Sequence, residues 1–278
     1  MSDVGTTLKA AIARLAPSSP SARADAEILL AHVLGCSRAS LAGRATESLA
    51  AEQAVDFDRL IERRFEGRPV AHLTGIQEFW SLPLQVTPDV LVPRPESELL
   101  VEWAIELINL RPSKRIADLG TGSGAIALAM AQEWPAARIV AMDASAAALK
   151  VAQANAHRFE LKNIEYVQGS FDMFLSHGDA YDLIVSNPPY IAEGDPHLPA
   201  LAYEPRHALV SGADGLDALG QIIHAAPARL KPGCWLLLEH GATQGPAVRA
   251  LLHEAGLALV ETRRDLAGHE RASGGCRA

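Results

Sequence analysis

The chain has 278 residues, 49% of them hydrophobic and 21% charged, the composition of a globular protein with one large or two modest cores. Its net charge of −8 argues against a surface built to grip duplex phosphate, which needs clustered lysine and arginine. There is no run of about 18 apolar residues to span a membrane, and residues 1–15 lack the apolar core of a secretion signal. Cys36, Cys234 and Cys276 are too scattered for a disulfide framework or a zinc site, so a cytoplasmic protein without a metal is expected.

Residues 1–74 read as a separate helical unit. Amphipathic stretches at 22–34 and 54–65 stop at Gly35 and at Gly67 and Pro69. This segment carries nine basic and nine acidic residues, so the acidic excess lies downstream. Arg63 and Arg64 read as a solvated helix face. Residues 75–92 alternate around Pro83 and Pro88, as an extended hairpin or linker in which Phe79 and Trp80 pack. From 93 to 278, strands near 115–119, 138–143, 164–168, 182–186, 234–239 and 257–262 alternate with helices near 97–109, 123–133, 145–158, 216–230 and 244–255. That order predicts an α/β, Rossmann-like domain: a parallel sheet covered on both faces, with ligands at the carboxyl ends of its strands. Glu96 and Glu98 fall at a helix start, where carboxylates favour the dipole. Arg94 either pairs with a carboxylate or stays solvated. Residues 272–278 lack the β-branched side chains of a last strand, so that strand is expected to be short or absent.

Two motifs sit at predicted strand ends. In Arg115-Ile-Ala-Asp-Leu-Gly-Thr-Gly-Ser-Gly124 a short strand runs into alternate glycines and then a helix. Gly120, Gly122 and Gly124, with Thr121 and Ser123 between them, let the backbone approach a ligand and aim helix N–H groups at it. Asp143 ends the next strand about twenty residues on, where an acidic residue receives ribose hydroxyls. Alone, this is ambiguous: Gly120, Gly122 and Ala125 also satisfy the dinucleotide fingerprint of dehydrogenases. The second motif decides. An apolar strand, 183–185, leads to Asn187-Pro188-Pro189-Tyr190. The prolines stiffen the chain and end the sheet. Left behind are an amide, prolyl carbonyls and an aromatic ring, a set of acceptors for a substrate –NH2 under a flat lid. This tetrapeptide is the signature of methyltransferases acting on a planar amine or amide nitrogen, and hydride transfer has no use for such a corner.

With these motifs the chain resembles the HemK-type protein glutamine N5-methyltransferases over nearly its whole length. Further matching pieces are Asp25-Ala-Glu-Ile-Leu-Leu-Ala-His-Val-Leu-Gly35, Leu91-Val-Pro-Arg-Pro-Glu-Ser-Glu98, Asp195-Pro-His-Leu198, Tyr203-Glu-Pro205, Gly212-Ala-Asp-Gly215, Leu237-Leu-Glu-His-Gly241 and Arg264-Asp-Leu-Ala-Gly268. The resemblance implies a class I S-adenosylmethionine-dependent methyltransferase domain at 93–278, a hairpin or linker at 75–92 and a helical substrate-recognition domain at 1–74. It implies S-adenosylmethionine as donor, S-adenosylhomocysteine as product, and no metal. It implies, as acceptor, the glutamine of the Gly-Gly-Gln motif in class-I peptide chain release factors. By the same resemblance 120–124 hold the methionine end of the cofactor, Asp143 the ribose, and Phe171 flanks the adenine. Asn187 serves cofactor and substrate amide, and Pro188, Pro189 and Tyr190 shape the acceptor pocket, with Asn187, Pro188 and Tyr190 catalytic. Two positions depart from the family pattern. Ser170 replaces an acidic residue, which puts carboxylate recognition of the adenine amino group in doubt, and Ser97 replaces a threonine but keeps its hydroxyl.

Three other readings compete. A ribosomal-protein glutamine methyltransferase shares the motifs. A DNA adenine N6-methyltransferase uses a similar corner on a flipped base but wants a basic region. A nucleotide-binding interaction module would keep the glycine loop without needing Asn187. A monomer is expected, with no nucleic-acid or membrane partner. Glu239-His240 reads as polar groups at a strand end with a structural partner, and His197 and His207 as loop hydrogen-bonders.

Overall fold

The computed structural model describes residues 3–108, 114–176 and 178–278, the side chain of Ile108 excepted. Asn109, the predicted end of one helix, lies outside the described residues. The chain divides into two compact units, Met1–Ile76 and Gln77–Ala278.

The first unit holds α1 (Val4–Leu15), α2 (Ala22–Leu34), α3 (Ala51–Phe65) and α4 (Val70–Thr74). Asp3 caps α1 by accepting the Thr6 N–H at 2.6 Å, and Gly35 ends α2 in the left-handed conformation. Leu15, Leu29, Leu30, Phe57 and Ile61 close a core of its own. Arg64 corrects the solvated-face expectation. Its guanidinium reaches back to the buried Asp25 at 2.7 Å, and Asp25 also accepts from Ser19 and Ser21. A helix spacing cannot reveal such a pair, because Asp25 lies 39 residues away.

The boundary between the units falls within β1 (Ile76–Phe79), which turns into β2 (Leu82–Gln85). The two turn residues, Trp80 and Ser81, both have positive φ, 51° and 61°. That is the tight hairpin turn whose twist matches its strands, made here without glycine. The cost is offset locally: Glu98 Oε1 accepts the Trp80 N–H at 2.8 Å, and Trp80 Nε1 donates to Glu133 at 2.8 Å. Glu98 therefore secures the hairpin rather than capping its own helix.

Next come α5 (Glu98–Ile108), β3 (Arg115–Leu119), α6 (Ala125–Glu133), β4 (Arg138–Asp143), α7 (Ala146–Arg158) and β5 (Ile164–Gln168). They are followed by α8 (Phe171–Ser176), β6 (Tyr181–Ser186), α9 (Asp217–Ala225), β7 (Leu230–Glu239), α10 (Gly245–Glu254), β8 (Ala258–Arg264) and β9 (Glu270–Cys276). Among the described residues seven strands form one sheet, ordered β5-β4-β3-β6-β7-β9-β8. Alternate residues of each central strand feed opposite cores. Ile116, Ile139, Leu183 and Leu237 pack with α5 and α6; Ala117, Val140, Ile184 and Leu236 pack with α8, α9 and α10.

β9 overturns the expectation of a short or absent last strand. It runs seven residues and pairs antiparallel with both β7 and β8. Its small residues are the reason it fits. A Cβ on Gly274 would lie 2.6 Å from Leu237 Cδ2 and 2.9 Å from Trp103 Cη2, and one on Gly275 would lie 2.9 Å from Leu257 Cβ. Close approach of both neighbours outweighs intrinsic strand propensity here. Gly274→Val is accordingly expected to destabilise the protein by about 1–3 kcal/mol through overpacking, read as a lowered denaturation midpoint. An unchanged midpoint would disprove the tight packing.

Candidate active site

In an open α/β sheet the crevice lies beyond the strand ends where the order reverses. Here that point is β3, between β4 and β6, and the glycine loop, Asp143 and Asn187 leave those three strands side by side.

The glycine loop is held from behind. Gly120, Gly122 and Gly124 all have positive φ (75°, 55° and 86°), which side chains with a Cβ rarely adopt. The Gly120 and Thr121 N–H groups donate to the Met142 carbonyl at 2.8 and 2.9 Å. Asp143 accepts from Gly122 N at 2.9 Å and from Ser145 N at 2.8 Å, so its carboxylate ties the end of β4 to the loop. Each oxygen keeps a free lone pair. The wholly buried Asn155 joins three segments: Oδ1 accepts from Gln85 N at 2.7 Å, while Nδ2 donates to the Gln85 and Ser123 carbonyls at 2.9 Å. Asp118, at the end of β3, accepts from Thr121 Oγ1 at 2.6 Å and from Ala127 N at 3.1 Å. Its Oδ1 is buried with no hydrogen-bond partner among the described residues. Burial raises the Asp118 carboxyl to about 7, with the charge of Asp143 adding to the effect.

Gly120, Gly122, Asp143, Phe171, Asn187 and Pro189 share the wall of a cavity of about 230 Å³. Thr121, Ser123 and Gly124 do not line it: the two side chains are buried, and Gly124 lets α6 pack closely on Ala152. Ser170 lines it beside Phe171 and caps α8 through the Met173 N–H at 3.3 Å. A second cavity, about 310 Å³, is walled by Arg94, Asn187, Pro188, Tyr190, Ile191 and Leu209. Asn187, Leu91 and Ala208 belong to both walls, so the two cavities meet at Asn187.

A hydrogen-bonded chain runs behind this junction. Asn187 Nδ2 donates to Ser97 Oγ at 3.0 Å, Ser97 Oγ donates to Glu239 Oε2 at 2.5 Å, and the Tyr190 hydroxyl donates to Glu239 Oε1 at 3.1 Å. Burial raises the Glu239 carboxyl to about 7, against the opposing pull of Ser97, Tyr190 and Arg271. Burial and the Glu239 charge push the Tyr190 hydroxyl up, so it stays a proton donor. Glu239 thus ends β7 with structural partners, as the sequence leads one to expect, and those partners are the groups behind the Asn187 junction. His240 behaves the same way: it is fully buried against Ser273 and Gly241, and desolvation lowers its pKa. Arg94 pairs with the buried Glu204 at 2.5 Å, and Glu204 also accepts the Val92 N–H at 2.9 Å. His197 bonds Asp195, while His207 lines the first cavity. Sequence reasoning missed Asp118, Asn155, Glu204 and the Ser97–Glu239 pair. Asp118 carries a signal, an acidic residue two positions before the first glycine, and Ser97, Glu204 and Glu239 lie in family-like pieces that do not show how they pair; Asn155 carries none.

Residues 6–75 match the PrmC N-terminal domain, and residues 96–245 match the methyltransferase small domain. A release factor glutamine methyltransferase of Xylella fastidiosa (strain Temecula1) is 50% identical over 255 residues, 91% of this chain and 92% of its own. That of Escherichia coli (strain K12) is 46% identical over 266 residues, 95% of each chain. The chain belongs to the release factor glutamine methyltransferase family. It is a methyltransferase of class I fold. Among solved structures, the hMettl16 catalytic domain aligns with a TM-score of 0.59 at 17% identity, covering 86% of this chain and 85% of its own. The T. thermophilus 16S rRNA N2 G1207 methyltransferase, in complex with AdoMet and guanosine, gives 0.51 at 24% identity, covering 67% and 44%. Those likenesses concern the fold alone. Among the described residues no helix is long and apolar enough to cross a membrane, and no cluster of His, Cys, Asp and Glu could hold a metal ion.

Proposed function

We propose that this chain transfers a methyl group from S-adenosylmethionine to the side-chain amide nitrogen of the glutamine in the Gly-Gly-Gln motif of class-I peptide chain release factors. The observation that carries the reading is the meeting of two cavities at Asn187, one walled by the glycine loop and Pro189 and one by Pro188 and Tyr190. Methyl transfer needs a donor and an acceptor site sharing one wall, and family membership supplies the amide as acceptor.

The first cavity suits the donor. At Gly120 and Gly122 a side chain would occupy the space at the loop, and Asp143 keeps lone pairs for two hydroxyls. Gly120 and Gly122 would hold the methionine end, Asp143 the ribose, and Phe171 one face of the adenine. Ser170 would offer the adenine amino group only a neutral hydroxyl. When bound, the sulfonium supplies an electrophilic methyl and leaves as a neutral thioether. Asp143→Ala is expected to weaken S-adenosylmethionine binding by roughly 1.5–3 kcal/mol per lost charged hydrogen bond. Unchanged affinity by calorimetry in a folded variant would remove Asp143 from the site.

The acceptor amide is a poor nucleophile, because its lone pair is delocalised into the carbonyl. Alignment therefore matters more than a strong base. Asn187 Oδ1 and the Pro188 carbonyl accept the two N–H bonds, fix the nitrogen and favour its pyramidal form. Tyr190 packs on the amide plane. Both acceptors strengthen as positive charge grows on nitrogen, which is electrostatic stabilisation of the transition state. Residues 1–74 serve to dock the release factor. Incubation with labelled methyl donor and, separately, release factor, a ribosomal protein and DNA tests the assignment. Label entering only release factor supports it, and label entering only one of the other two sinks it.

A further inference from the structure

Asn187 can act as a clamp only with its amide turned one way. Its Oδ1 accepts a substrate N–H; its Nδ2 repels one. In isolation the two orientations of a carboxamide differ by little, so something must choose between them.

The chain behind Asn187 makes that choice. An ionised carboxylate only accepts hydrogen bonds. Glu239 Oε2 therefore takes the proton of Ser97 Oγ, at 2.5 Å. With its one proton committed, Ser97 Oγ can only accept from its other neighbour, the Asn187 side chain at 3.0 Å. Asn187 must then present Nδ2 to Ser97, and Oδ1 is the atom left for the acceptor side. Tyr190 donates to the second Glu239 oxygen at 3.1 Å, so the same carboxylate also sets the ring that covers the amide. Ser97 and Glu239 are both buried, so water does not compete for these bonds.

We infer that Ser97 and Glu239 are positioning residues for methyl transfer: Glu239 fixes the direction of the Ser97 hydroxyl, which holds the Asn187 amide with Oδ1 toward the acceptor. The inference rests on the amide-clamp reading of Asn187 given above. It also has a pH consequence. Burial places the Glu239 carboxyl at about 7, and the ionisable groups acting on it are Tyr190, Arg271 and Glu96. A proton on Oε2 would let Glu239 donate to Ser97, and Ser97 would then donate to Asn187 Oδ1. The amide would be held the wrong way round, so kcat should fall as pH drops through about 7.

The test uses the full chain with intact release factor, calorimetric S-adenosylmethionine affinity and melting temperature. Ser97→Ala should lower kcat about tenfold, the order of one charge-assisted hydrogen bond, with cofactor affinity unchanged. Ser97→Thr, which keeps the hydroxyl, should restore it. Glu239→Gln, which can bond Ser97 in either direction, should lower kcat and lose the acid limb near neutral pH. A Ser97→Ala enzyme with wild-type kcat, or a folded Ser97→Thr as impaired as Ser97→Ala, overturns the inference. If Ser97→Ala does not fold, Glu239→Gln decides alone: wild-type kcat or a persisting acid limb overturns it. Wild-type transfer separates the two readings. A wild-type enzyme that leaves release factor unmethylated overturns the assigned reaction, whereas an active wild type with unaffected variants overturns only the positioning role.

Discussion

Replacing Asn187 with alanine is expected to cut methyl transfer by about 10²-fold or more, the usual cost of removing one aligning group at a transition state. The fold should survive. Asn187 follows the last residue of β6 and is only partly buried, so its truncation opens no large core cavity. Its side chain bonds Ser97, which keeps Glu239 as partner in the variant. The loss should appear mostly in kcat, because the acceptor cavity retains Pro188, Tyr190, Ile191 and Leu209 and still admits the side chain. Cofactor affinity should fall less than in Asp143→Ala, since Asn187 is only the shared edge of the first cavity. Steady-state kinetics on intact release factor, with a melting curve as control, measure this. Near-normal turnover in the folded variant would refute the amide clamp.

What the sequence made legible was local. The glycine loop, Asp143 and the Asn187 corner each lie within a few residues of a strand end, and the α/β alternation alone sets those ends side by side. In the sequence Ser97 shows only a hydroxyl and Glu239 only a strand-end carboxylate whose structural partner has no name, because they meet across 142 residues of chain. Arg94 and Glu204 are separated by 110. Such pairs follow from sheet topology, which no local period encodes. β9 departs from expectation for a different reason. Strand propensity summarises fit to an average pleated surface, whereas Gly274 and Gly275 answer to two particular neighbours, Trp103 and Leu257. Arg64 departs from expectation because helix spacing shows which face a residue occupies but not that Asp25 waits there.

Removal of residues 1–74 is expected to abolish transfer to intact release factor while sparing S-adenosylmethionine binding. Every residue of both cavity walls lies between 89 and 221, and the unit Gln77–Ala278 closes its own cores on the two faces of its sheet. The donor site should therefore persist in the truncated protein. Recognition is a different matter. A cavity of about 310 Å³ admits one side chain, and a glutamine amide has no identity beyond its own. Specific protein recognition usually buries about 1,200–2,000 Å², far more than that corner offers. The helical unit has balanced charge, no catalytic motif and exposed apolar side chains at Ile28, Val55 and Phe65, features that suit a docking surface. A short Gly-Gly-Gln peptide should then be a poor substrate for full-length and truncated protein alike, since it engages only the catalytic corner. Calorimetry with S-adenosylmethionine and methyl-transfer assays on both substrates make the comparison. If the folded, truncated protein methylates intact release factor as fast as the full chain, the docking role is wrong, and specificity must reside within 75–278.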